Sequence, residues 1–144
     1  RAFALTNLAA DTTLTTAERA TVQGDAIAAL KTLDSLGAND PTVTYFIGQF
    51  NLQRGDTAAA IASFEKFAER VPDDREALFN LGILYLEGGA FIDNGKARDV
   101  FKKLTELYPD EAAFWKNYGV ALIRSNDPVN GKKAYEKGKA LAGE

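Results

Sequence analysis

Apolar residues recur at intervals of three and four along most of the chain, which is the period of an amphipathic helix. Ala60, Ile61, Phe64, Phe67 and Ala68 form one such stripe. Ala20, Gln23, Ile27, Leu30, Leu33 and Leu36 form a less pure one. Between the stripes stand turn and capping signals, so the pattern predicts a run of helices. Thr15 with Glu18 fits a capping box opening a helix that continues through Gly24-Asp25 to about Leu36, where Gly37 is a left-handed stop. Asp40 caps and Pro41 occupies the first turn of a helix reaching about Arg54. Gly55-Asp56 turns into a helix ending near Val71, before Pro72. Asp74 caps the next helix, EALFNLGILYLE. The longer connection GGAFIDNG follows, with Asn94 expected as the cap of KARDVFKKLTELY. Pro109 ends that helix, and another begins at Ala112. Ser125-Asn126-Asp127-Pro128 reads as turn, cap and first-turn proline before the last one. At the start, RAFALTNLAA suggests a helix broken by the threonine-rich DTTLTT.

The stripes also repeat over a longer period. Gly48 recurs as Gly82 after 34 residues and as Gly119 after 37 more. Phe64 recurs as Phe101 and Tyr135, Ala60 as Ala97, and Pro72 as Pro109. Residue type kept at several places at once marks a stacked repeat architecture. A glycine inside a helix costs about 1 kcal/mol against alanine, so matched glycines imply close packing that offsets the cost. We expect Gly48, Gly82 and Gly119 to admit a partner helix through small residues at 60, 97 and 131. Phe64, Phe101 and Tyr135 should fill the space beside them.

These features resemble the tetratricopeptide repeat. The last unit carries Trp115, Tyr118-Gly119, Leu122, Gly131, Tyr135 and Gly138; the middle one Leu81-Gly82, Tyr85, Ala97, Phe101, Leu104 and Pro109. The first clear unit carries Ile47-Gly48, Ala60, Phe64 and Pro72. Thr44, Asn51 and Gly131 depart from the family's preferences. The resemblance implies an all-α fold, a right-handed superhelix of antiparallel helix pairs. Three clear repeats, 41–74, 75–111 and 112–144, would follow a degenerate N-terminal pair in 1–40, all within one domain, 1–144. It also implies a protein-interaction scaffold. First helices of the pairs would line a concave groove for a peptide or helix of a partner protein, without enzymatic activity.

Groove positions follow by removing the glycine-bearing core stripe from each first helix. They are Tyr45, Gln49, Leu52 and Gln53 in the first clear unit; Phe79, Asn80, Ile83, Leu86 and Glu87 in the second; and Lys116, Asn117, Val120, Ile123 and Arg124 in the third. Asn80 and Asn117 occupy equivalent places, where an amide can both donate to and accept from a peptide backbone. The apolar remainder suits an amphipathic segment. The family's clamp for a C-terminal carboxylate needs Lys and Asn where Tyr45 and Gln49 stand, so that ligand is not expected. An alternative is a self-assembling module, a homo-oligomer formed through the groove or the terminal helices. In that reading Phe3, Leu5 and Leu8 of residues 1–10 could fill the groove of their own or another chain, and the helix from 128 onward lacks an obvious cap.

Composition narrows the classes. There is no His and no Cys, which removes the commonest general base, the commonest metal ligand and all thiolate sites. No nucleophile–base motif or phosphate loop is present, and FIDNG is too short for a calcium loop. No cofactor and no metal are expected. Net charge of −3 provides no broad attraction for nucleic acid, and Lys132, Lys133, Lys137 and Lys139 read as a solvated face. No run of 18 apolar residues exists, so no membrane insertion is expected. The chain lacks Met altogether, which suggests a trimmed form: a soluble protein of bacterial-like composition, cytoplasmic or exported after signal removal.

Overall fold

The computed structural model describes residues 13–37 and 40–144. The expected helix over residues 1–10 lies outside them. Seven α-helices follow one another, with no strand among the described residues: α1 (Thr16–Ser35), α2 (Pro41–Gln53), α3 (Thr57–Arg70), α4 (Arg75–Glu87), α5 (Asn94–Leu107), α6 (Ala112–Arg124) and α7 (Pro128–Leu141). A 3-10 turn, Gly89–Phe91, lies between α4 and α5. The chain falls into two compact units, Arg1–Arg70 and Val71–Glu144.

In the first unit, α1 opens with the expected capping box. The Thr15 hydroxyl accepts from the Glu18 amide at 3.3 Å, and the Glu18 carboxylate accepts from the Thr15 amide at 2.9 Å. The helix passes through Gly24-Asp25 unbroken and stops at Gly37, whose φ is +78°. Asp40 caps α2 by accepting from the Thr42 amide at 2.9 Å. The core of the unit joins Ala26, Ile27 and Leu30 of α1 to Val43, Ile47 and Phe50 of α2, with Val22, Leu33 and Phe46 packed on it. Gly55, at φ +74°, turns the chain, and the Asp56 carboxylate accepts from the Ala59 amide to start α3. A Cβ at Gly48 would lie 2.9 Å from the Phe64 ring. The expected glycine–aromatic contact is therefore present.

The second unit repeats the device with variations. Gly82 faces Phe101, and a Cβ there would lie 2.7 Å from the ring. The cap of α5 is Asp93 rather than the expected Asn94. Asp93 keeps extended backbone and its carboxylate accepts from the Lys96 amide at 2.9 Å, while Asn94 is already helical. Glu111 precedes α6 without capping it, since its carboxylate pairs with Arg75 at 2.8 Å. The Arg75 guanidinium also lies over the rings of Tyr108 and Phe114, 5.8 and 5.4 Å from their centroids. Asp127 caps α7, and Asn126 adopts φ +66° in the turn before it.

The last pair departs from expectation at Tyr135. Phe64 and Phe101 are fully buried, but Tyr135 is 38% exposed. Here three glycines, not one, lie between α6 and α7. A Cβ at Gly119 would meet the Gly131 carbonyl at 2.6 Å, one at Gly131 the Gly119 carbonyl at 2.8 Å, and one at Gly138 the Ala112 carbonyl at 2.8 Å. The two backbones touch directly, which leaves no room for the ring between them.

Substitutions at these glycines should separate packing from helix propensity. Gly24 has no atom within 4 Å of an added Cβ, so Gly24→Ala should stabilise by about 0.5–1 kcal/mol in urea unfolding. Gly82→Ala should destabilise by about 1–3 kcal/mol through overpacking, with Phe101→Leu restoring part of the loss. Gly119→Ala should cost more than Gly82→Ala, because it meets main chain. The caps should also report on pH. The Thr42 hydroxyl and amide hold the Asp40 carboxyl below its ordinary range, and the Asn130 side chain and amide do so for Asp127. Lowered carboxylates contribute stability that is complete above the ordinary range and lost as pH falls through their own values. Asp40→Asn with Asp127→Asn should keep the caps and flatten that acid-side loss of helicity by circular dichroism.

Candidate partner-binding face

The register of the repeat compares equivalent places on α2, α4 and α6. Tyr45, Phe79 and Lys116 are equivalent, lying three residues before each glycine. All three lean on the second helix of their own pair. Tyr45 packs its ring on Phe64 and Phe67, at 5.9 and 5.3 Å between centroids. Phe79 packs on Phe101 at 6.2 Å and on Phe114 at 5.6 Å. The stem of Lys116 lies against Gly138, and its ammonium pairs with Glu144 at 2.6 Å, lowering the Glu144 carboxyl. These side chains are half-buried. Their inner edges are already occupied.

Four residues after each glycine stand Leu52, Leu86 and Ile123. Leu86 corrects the sequence reading: it is 1% exposed and has no surface to offer. Leu52 is half-buried, and Ile123 lies beside Gly131 while staying exposed.

The remaining places turn away from the second helix. Gln49, Ile83 and Val120 are equivalent and half-buried. Gln49 donates its amide to the Tyr45 hydroxyl at 2.8 Å. Ile83 and Val120, both in the second unit, present apolar surface. Asn80 and Asn117 accompany them, but differ. The Asn117 amide donates back to the Ala113 carbonyl at 3.0 Å. Among the described residues, the Asn80 side chain makes no hydrogen bond and is half-buried. Gln53, Glu87 and Arg124 close the series. Gln53 accepts from Gln23 at 2.7 Å beside a surface cavity of about 310 Å³ lined also by Arg19 and Arg54. Arg124 donates to the Leu86 carbonyl at 2.8 Å, tying the end of α6 to the end of α4. That contact, which crosses between repeats, has no signal in the sequence.

Among the described residues no three acidic, His or Cys side chains gather as a metal site, and no helix is long and apolar enough to cross a membrane. The face offers amide hydrogen bonding and apolar area.

Two family models, each described as a tetratricopeptide repeat, match residues 47–91 and 76–111. The chain is 37% identical over 83 residues to "Protein CTR9 homolog" of Arabidopsis thaliana, covering 57% of this chain and 7% of that protein. It is 24% identical over 131 residues to "BBSome complex member bbs-4" of Caenorhabditis elegans, covering 69% and 28%. The chain thus spans under a third of the length of either relative. Among solved structures, "MamA 41-end from Desulfovibrio magneticus RS-1" superposes with a TM-score of 0.71 at 20% identity, over 98% of this chain and 71% of that one. At that identity the likeness is one of fold.

The division of the face predicts opposite effects for neighbours one turn apart. Leu86→Ala should lower unfolding stability by about 2–5 kcal/mol, measured in urea. Ile83→Ser should stay within about 1 kcal/mol of the parent, as expected for a half-exposed place.

Proposed function

Because the chain belongs to the tetratricopeptide-repeat family, we propose that it is a non-catalytic scaffold that holds a peptide or helix of a partner protein on the outward face of α4 and α6 in its second unit. Support comes from one feature above the others. In the second unit, Ile83 and Val120 stand at equivalent places on α4 and α6, with Asn80 beside them making no hydrogen bond among the described residues. An apolar pair supplies area, and a free amide can grip an extended or helical backbone by donor and acceptor together. The Arg124 bond to the Leu86 carbonyl holds the ends of the two helices together, so the face is organised before a ligand arrives. The name of one relative places that protein in a complex, which agrees with a scaffold.

Within the face the side chains have distinct roles. Asn80 binds backbone, Ile83 and Val120 bind apolar side chains, and Asn117 keeps the helix end ordered. Phe79 and Lys116 contribute their outer edges, with Arg124 at the margin. A homo-oligomer is the competing reading.

Affinity capture of partners with mass spectrometric identification tests the proposal. Partners bound by the parent chain should be lost from Ile83→Asp with Val120→Asp, with affinity reduced by at least about tenfold, or 1.4 kcal/mol. They should be retained by Val129→Asp on a different face. Retention by the first variant would sink the proposal. A mass that rises with concentration in light scattering, and falls in the same variant, would favour self-assembly instead.

A further inference from the structure

Two arginines of the first unit meet no carboxylate. Arg19 stands near the start of α1 and Arg54 directly after α2. Among the described residues neither lies at ion-pair distance from an acidic side chain, whereas Arg75 pairs with Glu111 and Arg98 with Asp99. The acidic residues nearest to them in sequence are engaged as caps. The Glu18 carboxylate accepts from the Thr15 amide and hydroxyl, and the Asp56 carboxylate accepts from the Ala59 amide. The Arg19 guanidinium is half-buried and is held in place by donating to the Leu14 carbonyl at 3.3 Å. Both arginines border the surface cavity of about 310 Å³, together with Thr16, Ala20, Gln23 and Gln53.

The cavity also holds a buried amide. Gln23 is 7% exposed, and its N–H2 group donates to the Gln53 carbonyl at 2.7 Å. Among the described residues the Gln23 carbonyl accepts no hydrogen bond and the Gln53 N–H2 group donates none. A polar atom on so deeply placed a side chain is costly to leave unpaired, and a donor entering the cavity would pair it. Helix dipoles do not set the sign of the ligand, because the first turns of α1 and the end of α2 both border the cavity and their positive and negative ends oppose. The two guanidinium groups therefore decide its charge. The Gln23 carbonyl adds a second requirement, a hydrogen-bond donor beside the negative group. A volume near the lower end for ligand pockets suits one side chain with its stretch of backbone, not a packed helix.

We infer that this cavity binds an acidic residue within an extended segment of a partner protein. Its side-chain carboxylate lies between Arg19 and Arg54 with the Gln53 N–H2 group as a further donor, and its backbone N–H donates to the Gln23 carbonyl. Guanidinium–carboxylate pairs are charge-assisted and directional, which favours this placement. Ala20 gives the methylenes of the acidic side chain an apolar wall. A fully ionised inorganic anion would satisfy the arginines but bring negative charge against the Gln23 carbonyl. The site lies within the first unit and uses no side chain of the face on α4 and α6, so it stands whether or not that face holds a peptide.

The probe is a short synthetic peptide with one central Glu among alanines, acetylated and amidated so that the side chain carries its only charge. A second peptide has Gln in place of the Glu, and a third has the Glu backbone nitrogen methylated. Each is titrated into the isotopically labelled whole chain and followed by NMR. The Glu peptide should shift the side-chain amide signals of Gln23 and Gln53 saturably, and the Gln peptide should not. The methylated peptide should bind more weakly, since it offers the Gln23 carbonyl no N–H. Affinity for the Glu peptide should fall at least about tenfold in Arg19→Gln with Arg54→Gln. Arg54→Gln alone, at an exposed place where folding is not at stake, should lower it in the same direction. Lys31→Gln, which removes a positive charge from another exposed place on α1, should bind as the parent does, and so should Ile83→Asp with Val120→Asp. Raised salt should weaken binding. No saturable shift of the Gln23 and Gln53 signals would overturn the inference. So would equal binding of the Glu and Gln peptides, equal binding of the methylated peptide, or indifference to Arg19→Gln with Arg54→Gln. Inorganic phosphate that saturates the same signals while the Glu peptide leaves them unmoved would assign the cavity to a free anion and overturn it too.

Discussion

Close approach of two helices at a glycine is the constraint on which each pair depends. An antiparallel pair with ordinary side chains along its crossing stays about 8–10 Å apart between axes. Removing one side chain at Gly48 or Gly82 lets a phenylalanine ring from the partner lie on bare backbone. The rings of Phe64 and Phe101 are then enclosed completely. Once α4 and α5 are fixed in this way, α6 packs on α5: Thr105 is buried and the Asn94 carbonyl accepts from the Ser125 hydroxyl. Stacking in the second unit is thus a consequence of pairing.

The same constraint decides which side chains remain available. A place three residues before the glycine lies near the second helix, so its side chain is shared between fold and surface. Tyr45 and Phe79 are bound to aromatic rings there, and Lys116 to a glycine and a carboxylate. One residue after the glycine the helix has turned further. Ile83 and Val120 emerge from the pair and present their outer surface.

Helix boundaries were legible in the sequence because caps and stops are local. Thr15-Glu18, Asp40-Pro41, Asp74 and Asp127-Pro128 each act within a few residues, and each caps as its pattern indicates. Asn94 misleads because Asp93 immediately before it is an equally good cap, and backbone extension selects between them. Spacing from the glycines correctly identified the pairing stripe. It was less informative on burial, which depends on what the neighbouring helix carries. Leu86 and Ile123 occupy the same register, yet one is buried and the other exposed. Tyr135 lies outward because the backbones of α6 and α7 touch at Gly119 and Gly131. The Arg124 contact with the Leu86 carbonyl spans 38 residues and rests on the angle between elements, which no local pattern encodes.

The connection between α4 and α5 bears on how such a chain can grow. It is three residues longer than its counterparts, and its extra length is absorbed in a 3-10 turn with Phe91 and Ile92 pointing outward. Beyond the turn the Asp93 amide returns to the Tyr85 carbonyl at 2.8 Å, so α5 starts in its proper register on α4. Whatever is spliced between Gly88 and Ile92 is closed off by that hydrogen bond before it reaches the pair. This corner is therefore where the molecule can accept foreign sequence, by natural insertion or by grafting, without relaying the change into the stack. A chain-closure cost growing only logarithmically with length makes even a long loop tolerable there.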